Sequence, residues 1–229
     1  MPTPEQIVED LRQIANNWRS LALFWHVYLG ALALWLTLGF RPCRRVMGIL
    51  LALPFASVSL LAWMTGNPVN GAVFALATVS LALISVKMTP RPVRPRGAPW
   101  VIAGVVILAF GWIYPHFLET TSLLPYLYAA PAGLIPCPTV SIIIGLTLVL
   151  RGLESRSWSM IVGSIGVVYG LFGALRLAVS IDWMLVAGSF AVLLQASSSS
   201  TVSNYPSANS DSETGRPVSS DRSAAKTTL

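Results

Sequence analysis

The sequence predicts an all-α integral membrane bundle, most simply of seven transmembrane helices with a broken fifth helix. Three observations carry this. Of 229 residues, 54% are hydrophobic and only 10% are charged, with a mean hydropathy of +0.67, well away from soluble usage. The apolar residues form long charge-free runs rather than amphipathic stripes. The basic residues responsible for a net charge of +6 sit in short clusters between those runs. Clusters so placed indicate membrane orientation, not nucleic-acid binding.

Residues 1–20 lack the basic start and small-residue cleavage site of a secretory signal, so no cleavage is expected. Thr3, Pro4 and Gln6 form a capping-box pattern with proline in the first turn. Ile7, Leu11, Ile14 and Trp18 then recur at helical spacing. This is an amphipathic N-terminal helix, lying on the membrane surface or packed on the bundle.

The transmembrane region is expected over residues 21–196. The first span runs from Leu21 to Phe40, the second from Val46 to Met64, and the third from Val69 to Val86 after the turn residues Gly66, Asn67 and Pro68. Each can cross a hydrocarbon layer of about 30 Å at about 1.5 Å per residue. The fourth begins near Trp100 and reaches Tyr114 to Leu118, the sixth spans Trp158 to Leu177, and a short seventh spans Ile181 to Ala196. Residues 197–229 are rich in Ser, Thr, Asn and Pro, which predicts a disordered tail.

Orientation follows from counting. Arg41, Arg44, Arg45, Lys87, Arg91, Arg94, Arg96, Arg151, Arg156, Arg216, Arg222 and Lys226 fall on one side of this topology, which is 12 of the 15 basic residues, and only Arg12, Arg19 and Arg176 fall on the other. The basic side is cytoplasmic. The expectation is a cell (plasma or inner) membrane protein with its N-terminus outside and its C-terminus inside, its first partner being the lipid bilayer.

Leu123 to Leu150 breaks the pattern. Pro125, Pro131, Pro136 and Pro138 interrupt it before the unbroken run Thr139 to Leu150, whose helix would reach only about 18 Å. With Arg151 fixing the cytoplasmic end, Pro136, Cys137 and Pro138 are expected about a third of the way into the bilayer. Irregular backbone at that depth must be enclosed by protein or line a wet cavity. Pro138 in a first turn would place Cys137 at the N-cap, where free N–H groups and the helix dipole favour thiolate. Pro136, Cys137, Pro138 and Thr139 are therefore candidate ligand- or ion-binding residues. A proline-bent packing helix with an inert cysteine would produce the same letters.

Tyr114 and Pro115 closing a span, then Gly133, Pro136, Cys137, Pro138 and Thr139 leading to Gly145 and Leu146, resemble the bacterial membrane family catalogued as domain of unknown function 6064. The segment Met1 to Asp10 is similar to it as well, and the likeness extends to about Leu194. That family's pattern is Pro-Cys-Pro-Thr-Thr, whereas this chain has Val140 at the last position. The resemblance implies the same topology and interest in Cys137; it implies no reaction.

His26, His116 and Glu119 are expected on the same side as Cys137, and together they are a candidate set for a soft or borderline metal ion. No CxxC, HxxxH or Met cluster accompanies them, and an interfacial His26 beside Trp25 with ordinary loop roles for the other two is the plainer explanation. No other cofactor is indicated. Cys43 lies on the opposite side, so no internal disulfide is expected. Gly163, Gly166, Gly170 and Gly173 share one face of the sixth helix and serve close packing, within the bundle or in a homo-oligomer or membrane partner. Arg176 and Asp182 bracket the next turn and are candidates to pair.

No phosphate-binding loop, Gly-x-Ser-x-Gly elbow or zinc-protease helix is present in the sequence, so nothing supports an ATP-driven or hydrolytic enzyme. The leading functional expectation is a small-solute or ion transporter or binding protein with its site around Cys137. A structural or assembly subunit of a membrane complex and a membrane thiol-dependent enzyme are the alternatives.

Overall fold

The computed structural model describes residues 3–198. The tail expectation therefore lies outside the described residues, except that Ser197 and Ser198 belong to the last helix.

Helix α1 (Pro4–Asn17) opens on the expected capping box: the Gln6 amide donates to Thr3 Oγ1 at 3.3 Å, and the Thr3 amide donates to Gln6 Oε1 at 2.8 Å. It is a packing helix, since Ile14 and Ala15 are buried against Tyr114, Phe117 and Leu118. Asn16 fixes it in place, donating to the Phe117 carbonyl at 2.9 Å and accepting from the Glu119 amide at 3.0 Å.

Helices α2 (Arg19–Thr37), α3 (Arg44–Met64) and α4 (Pro68–Lys87) follow, then α5 (Ala98–Ile113), the single turn α6 (Tyr126–Ala129), α7 (Pro136–Val149), α8 (Arg156–Leu171) and α9 (Trp183–Ser198). All but α1 and α6 run between two ends of the bundle. At one end lies α1. At the other, the basic end, the Arg44 amide donates to the Arg91 carbonyl at 3.0 Å, the Arg96 amide donates to the Val149 carbonyl at 2.9 Å, and Arg44 pairs with Glu154. The basic clusters of the sequence thus meet in one layer.

Five helical segments, Arg19–Thr37, Arg44–Met64, Pro68–Lys87, Arg156–Arg176 and Ser180–Ser197, have the length and composition to cross a membrane. Their outward faces carry exposed Phe24, Leu34, Leu60, Leu76 and Leu83, surface that lipid suits better than water. By helix length and composition the chain is a multi-pass membrane protein. Helices α5 and α7 are shorter, at 16 and 14 residues, or about 24 and 21 Å.

The expected fourth span overshoots. Helix α5 stops at Ile113 because Tyr114 turns to φ 23°, and Pro115 disfavours continued helix at the residue before it. The short apolar helix expected after the break is present as α7, and its shortness has a structural cause. Every α7 residue except Cys137 and Val149 is buried, with α3, α5, α8 and α9 packed round it. A helix apolar on all sides belongs in the centre, and one that is enclosed need not match the lipid thickness.

Close approach to α7 depends on glycine. A Cβ on Gly104 would fall 2.6 Å from the Gly145 carbonyl, one on Gly145 2.6 Å from the Gly104 carbonyl, and one on Gly111 2.8 Å from the Pro138 carbonyl. The glycine face of α8 is filled from within the chain: Gly163 meets Leu193, Gly166 meets Ser189, Gly170 meets Val186 and Gly173 meets Asp182, all on or just before α9. Of the two expectations for that face, packing within the bundle is the one observed, with α9 lying on it. Pro54 inside α3 denies the Leu50 carbonyl its helical donor, and the Tyr28 hydroxyl donates to that carbonyl at 3.0 Å instead.

Candidate functional site at the broken helix

The chain between α6 and α7 enters the bundle without regular structure. Residues from Ala130 to Pro136 are all buried. Gly133, at φ 70°, lies under the Trp25 ring, whose Nε1 donates to Ser57 Oγ at 2.9 Å. Trp25 is six residues into α2, so the irregular segment reaches about 9 Å below that end of the helix. It is enclosed by protein, as backbone without a regular hydrogen-bond ladder must be in a membrane.

The helix start differs from the sequence expectation. Its N-cap is Ile135, and Pro136, Cys137 and Pro138 all lie in the first turn, where a missing proline N–H costs nothing. Cys137 is therefore not the cap. Thr139 is structural: its hydroxyl accepts from the Gly133 amide at 2.8 Å and donates to the Ile135 carbonyl at 2.7 Å, closing the loop onto the helix. Ser141 likewise donates to the Cys137 carbonyl at 2.8 Å.

The Cys137 thiol faces oxygen atoms. It approaches the Tyr169 carbonyl at 4.0 Å and lies beside the Tyr114 hydroxyl and the Asp182 carboxylate. The electrostatic case for a thiolate at an open cap does not carry over to this position. The central interaction is between its neighbours: the Tyr114 hydroxyl donates to Asp182 Oδ1 at 2.7 Å, and the two residues are 0% and 1% exposed. Five elements meet here. Tyr114 ends α5, Cys137 opens α7, Tyr169 comes from α8 and donates to Asn70 of α4 at 2.8 Å, and Asp182 precedes α9.

Space for the carboxylate comes from α8. Its last turn widens into a π-helix over Phe172–Arg176, and Gly173 within it lies against Asp182 Oδ2. Such π turns gather at functional sites. The expected pairing of Asp182 with Arg176 is not formed, since Arg176 is exposed and Asp182 turns inward to Tyr114. Sequence reasoning thus missed Tyr114 and Asp182 as site residues. The available signal was an acid next to an apolar span, which by default marks function.

The proposed metal set does not assemble. Among the described residues no three His, Cys, Asp or Glu side chains come close enough to hold an ion. His26 turns Nδ1 to the Ala22 carbonyl at 2.9 Å and Nε2 to the Trp112 carbonyl at 3.2 Å, leaving neither nitrogen for a ligand. Burial, and then the neighbouring Arg12 charge, hold the His116 imidazole below its usual pKa. Glu119 is exposed, with its carbonyl accepting from Arg19 at 3.0 Å. Cys43 is at the basic end as the N-cap of α3, remote from Cys137.

No protein-family model matches this chain, and no curated protein or solved structure matches it either.

Proposed function

We propose that the chain crosses the membrane seven times, with the α1 end outside and the basic end inside, and that it couples proton binding at Asp182 to movement of a small solute or ion past the broken helix. The observation that carries this is the buried Tyr114–Asp182 pair beside the half-length helix. An ionisable side chain is costly to enclose in such surroundings and is retained there for proton or ion relay more often than for stability. As a carboxylate, Asp182 only accepts, here from Tyr114; as an acid it also has a proton to donate, so its role among its neighbours changes on protonation. The groups facing it are Tyr114 from the end of α5, Cys137 from α7 and the Gly173 backbone from α8. A change of role therefore acts on three elements at once.

The other two functions have lost their supporting features. The thiol-dependent enzyme drew on Cys137 as the N-cap of the broken helix, which it is not, and the assembly subunit drew on the α8 glycine face, which α9 covers. The resemblance to domain of unknown function 6064 adds no activity.

The test is proton entry into proteoliposomes holding an internal pH dye, after an imposed acid step. The wild-type chain is expected to acidify the lumen several-fold faster than protein-free vesicles. Asp182→Asn should fall to the leak rate and Cys137→Ser should retain the flux. Equal flux through wild type and Asp182→Asn, or no flux above the leak, contradicts the proposal.

A further inference from the structure

The loop between α5 and α6 rises to the α1 end of the bundle and then turns back down along its side. At Glu119 it is level with α1, where the Glu119 amide donates to Asn16 Oδ1 and the Glu119 carbonyl accepts from Arg19, both at 3.0 Å. Farther along, the Leu127 carbonyl accepts from Trp112 Nε1 at 2.9 Å. Trp112 marks the depth reached. Its ring stands edge-on to His26 with centroids 4.8 Å apart, and a Cβ on Gly30 would fall 3.3 Å from its Cη2. His26 and Gly30 lie about 10 and 16 Å past Arg19 along α2, at 1.5 Å per residue. Helix α2 has 19 residues, or about 28 Å, so it uses its whole length to cross a hydrocarbon core of about 30 Å. The single turn α6, which packs on α2 and α5, therefore stands at a level that acyl chains occupy.

The side chains suit that level. No charged residue or histidine occurs over residues 120–150. Leu123, Leu124, Leu127 and Tyr128 are all exposed, Leu123 at 82%, which in water would be a costly group of neighbours. Phe24 and Val27 of α2 and Ile113 of α5 are exposed near the same level. The outward surface there is apolar on all three elements, and the turn extends the face that the two longer helices already offer to lipid.

The backbone suits it too. The Tyr126, Leu127 and Tyr128 amides donate to the Leu123, Leu124 and Pro125 carbonyls at 3.2, 3.0 and 3.3 Å, and the Ala129 amide donates to Pro125 at 2.8 Å. The Leu124 amide donates to Ser122 Oγ at 3.2 Å, and Pro125 has no N–H to satisfy. Every amide over residues 124–129 thus has an acceptor within the protein. Backbone in hydrocarbon requires this, whereas a loop in water can leave its amides to solvent.

We propose that residues 123–128 are a re-entrant membrane anchor, which dips from the α1 end into the adjoining lipid leaflet and presents Leu123, Leu124, Leu127 and Tyr128 to acyl chains. Lipid is favoured over a second copy of the chain because the turn lies beside a span, at a depth where lipid surrounds the bundle without any further partner. The anchor also sets where the irregular segment after α6 enters the protein.

The experiment uses the full chain carrying Cys43→Ser and Cys137→Ser in phosphatidylcholine vesicles, with one added cysteine bearing a nitrobenzoxadiazole fluorophore. Leu127→Cys is the test position. Val27→Cys, exposed on α2 near the same level, is the lipid reference, and Glu9→Cys, exposed on α1, is the aqueous reference. Phospholipids carrying a nitroxide on the acyl chain should quench Leu127→Cys as strongly as Val27→Cys and several-fold more than Glu9→Cys. Aqueous iodide should give the reverse order. Leu123→Cys, the more exposed position, should also be quenched by lipid nitroxide several-fold more than Glu9→Cys, so the assignment does not hang on one variant folding. Iodide quenching of Leu123→Cys and Leu127→Cys equal to that of Glu9→Cys would place the turn in water and overturn the anchor. Protection of both from either quencher would mean that protein covers the turn, and would overturn the assignment to lipid.

Discussion

Gly145→Val is expected to abolish the folded bundle. The new Cβ would fall 2.6 Å from both the Gly104 carbonyl and the Leu108 amide nitrogen, which are backbone atoms of α5 and cannot rotate aside. Helix α7 has no free side to move toward, being packed by α3, α5, α8 and α9. Overpacking by side-chain atoms costs about 1–3 kcal/mol; against two backbones the cost should reach the upper end or beyond, a large share of a total stability of about 5–15 kcal/mol. Gly97→Ala is the control, since a Cβ there meets nothing within 4 Å. Thermal unfolding in detergent, followed by size-exclusion chromatography, should show Gly97→Ala near wild type and Gly145→Val aggregated or absent. Similar profiles for the two would mean that α5 and α7 do not pack as described.

The second large effect is expected at the Tyr114–Asp182 pair. Tyr114→Phe removes the donor to a carboxylate that is 1% exposed, leaving a buried acceptor with one partner fewer. A hydrogen bond to a charged group is worth about 1.5–3 kcal/mol, and its loss at a buried site costs at least that. Asp182→Leu removes the buried charge as well, so the double variant Tyr114→Phe/Asp182→Leu should be less destabilised than the sum of its single changes. A coupling energy of about 0.5–3 kcal/mol in a double-mutant cycle is the expected signature. Strict additivity would show that the two side chains act independently.

Much of the architecture is written locally. The capping box at Thr3 and Gln6 involves neighbours in sequence, and the long spans involve only runs of apolar residues, so both are legible without a fold. Arg44, Arg91, Arg96 and Glu154 gather at one end because charge is excluded from the spans on either side of each. The helix start at Pro136 was harder, since either Pro136 or Pro138 suits a first turn and nothing local decides between them. What decides is Thr139, whose hydroxyl ties Gly133 to Ile135 across the break.

The site was the least legible part. Tyr114 and Asp182 are 68 residues apart, and the nearer Arg176 was the natural partner for the acid on sequence alone. Asp182 instead turns inward through the space that Gly173 leaves in the π turn. The glycines of α8 advertised close packing but not its partner, because a small-residue face fits an intramolecular helix and a second protein equally well. Gly104 and Gly145 meet across two helices and carry no local pattern at all.

The function proposed above depends on seven crossings in the stated direction, and cysteine accessibility measures that most directly. In a background with Cys43→Ser and Cys137→Ser, single cysteines are placed at Ser180, exposed in the turn before α9, at Ser157, exposed at the start of α8, and at Ser220 in the tail. An impermeant maleimide is added to intact cells, then again after permeabilisation. The account predicts labelling of Ser180→Cys before permeabilisation, and of Ser157→Cys and Ser220→Cys only after it. Labelling of Ser157→Cys in intact cells with none at Ser180→Cys would invert the protein in the membrane, and labelling of both Ser180→Cys and Ser220→Cys in intact cells would show that α9 does not cross.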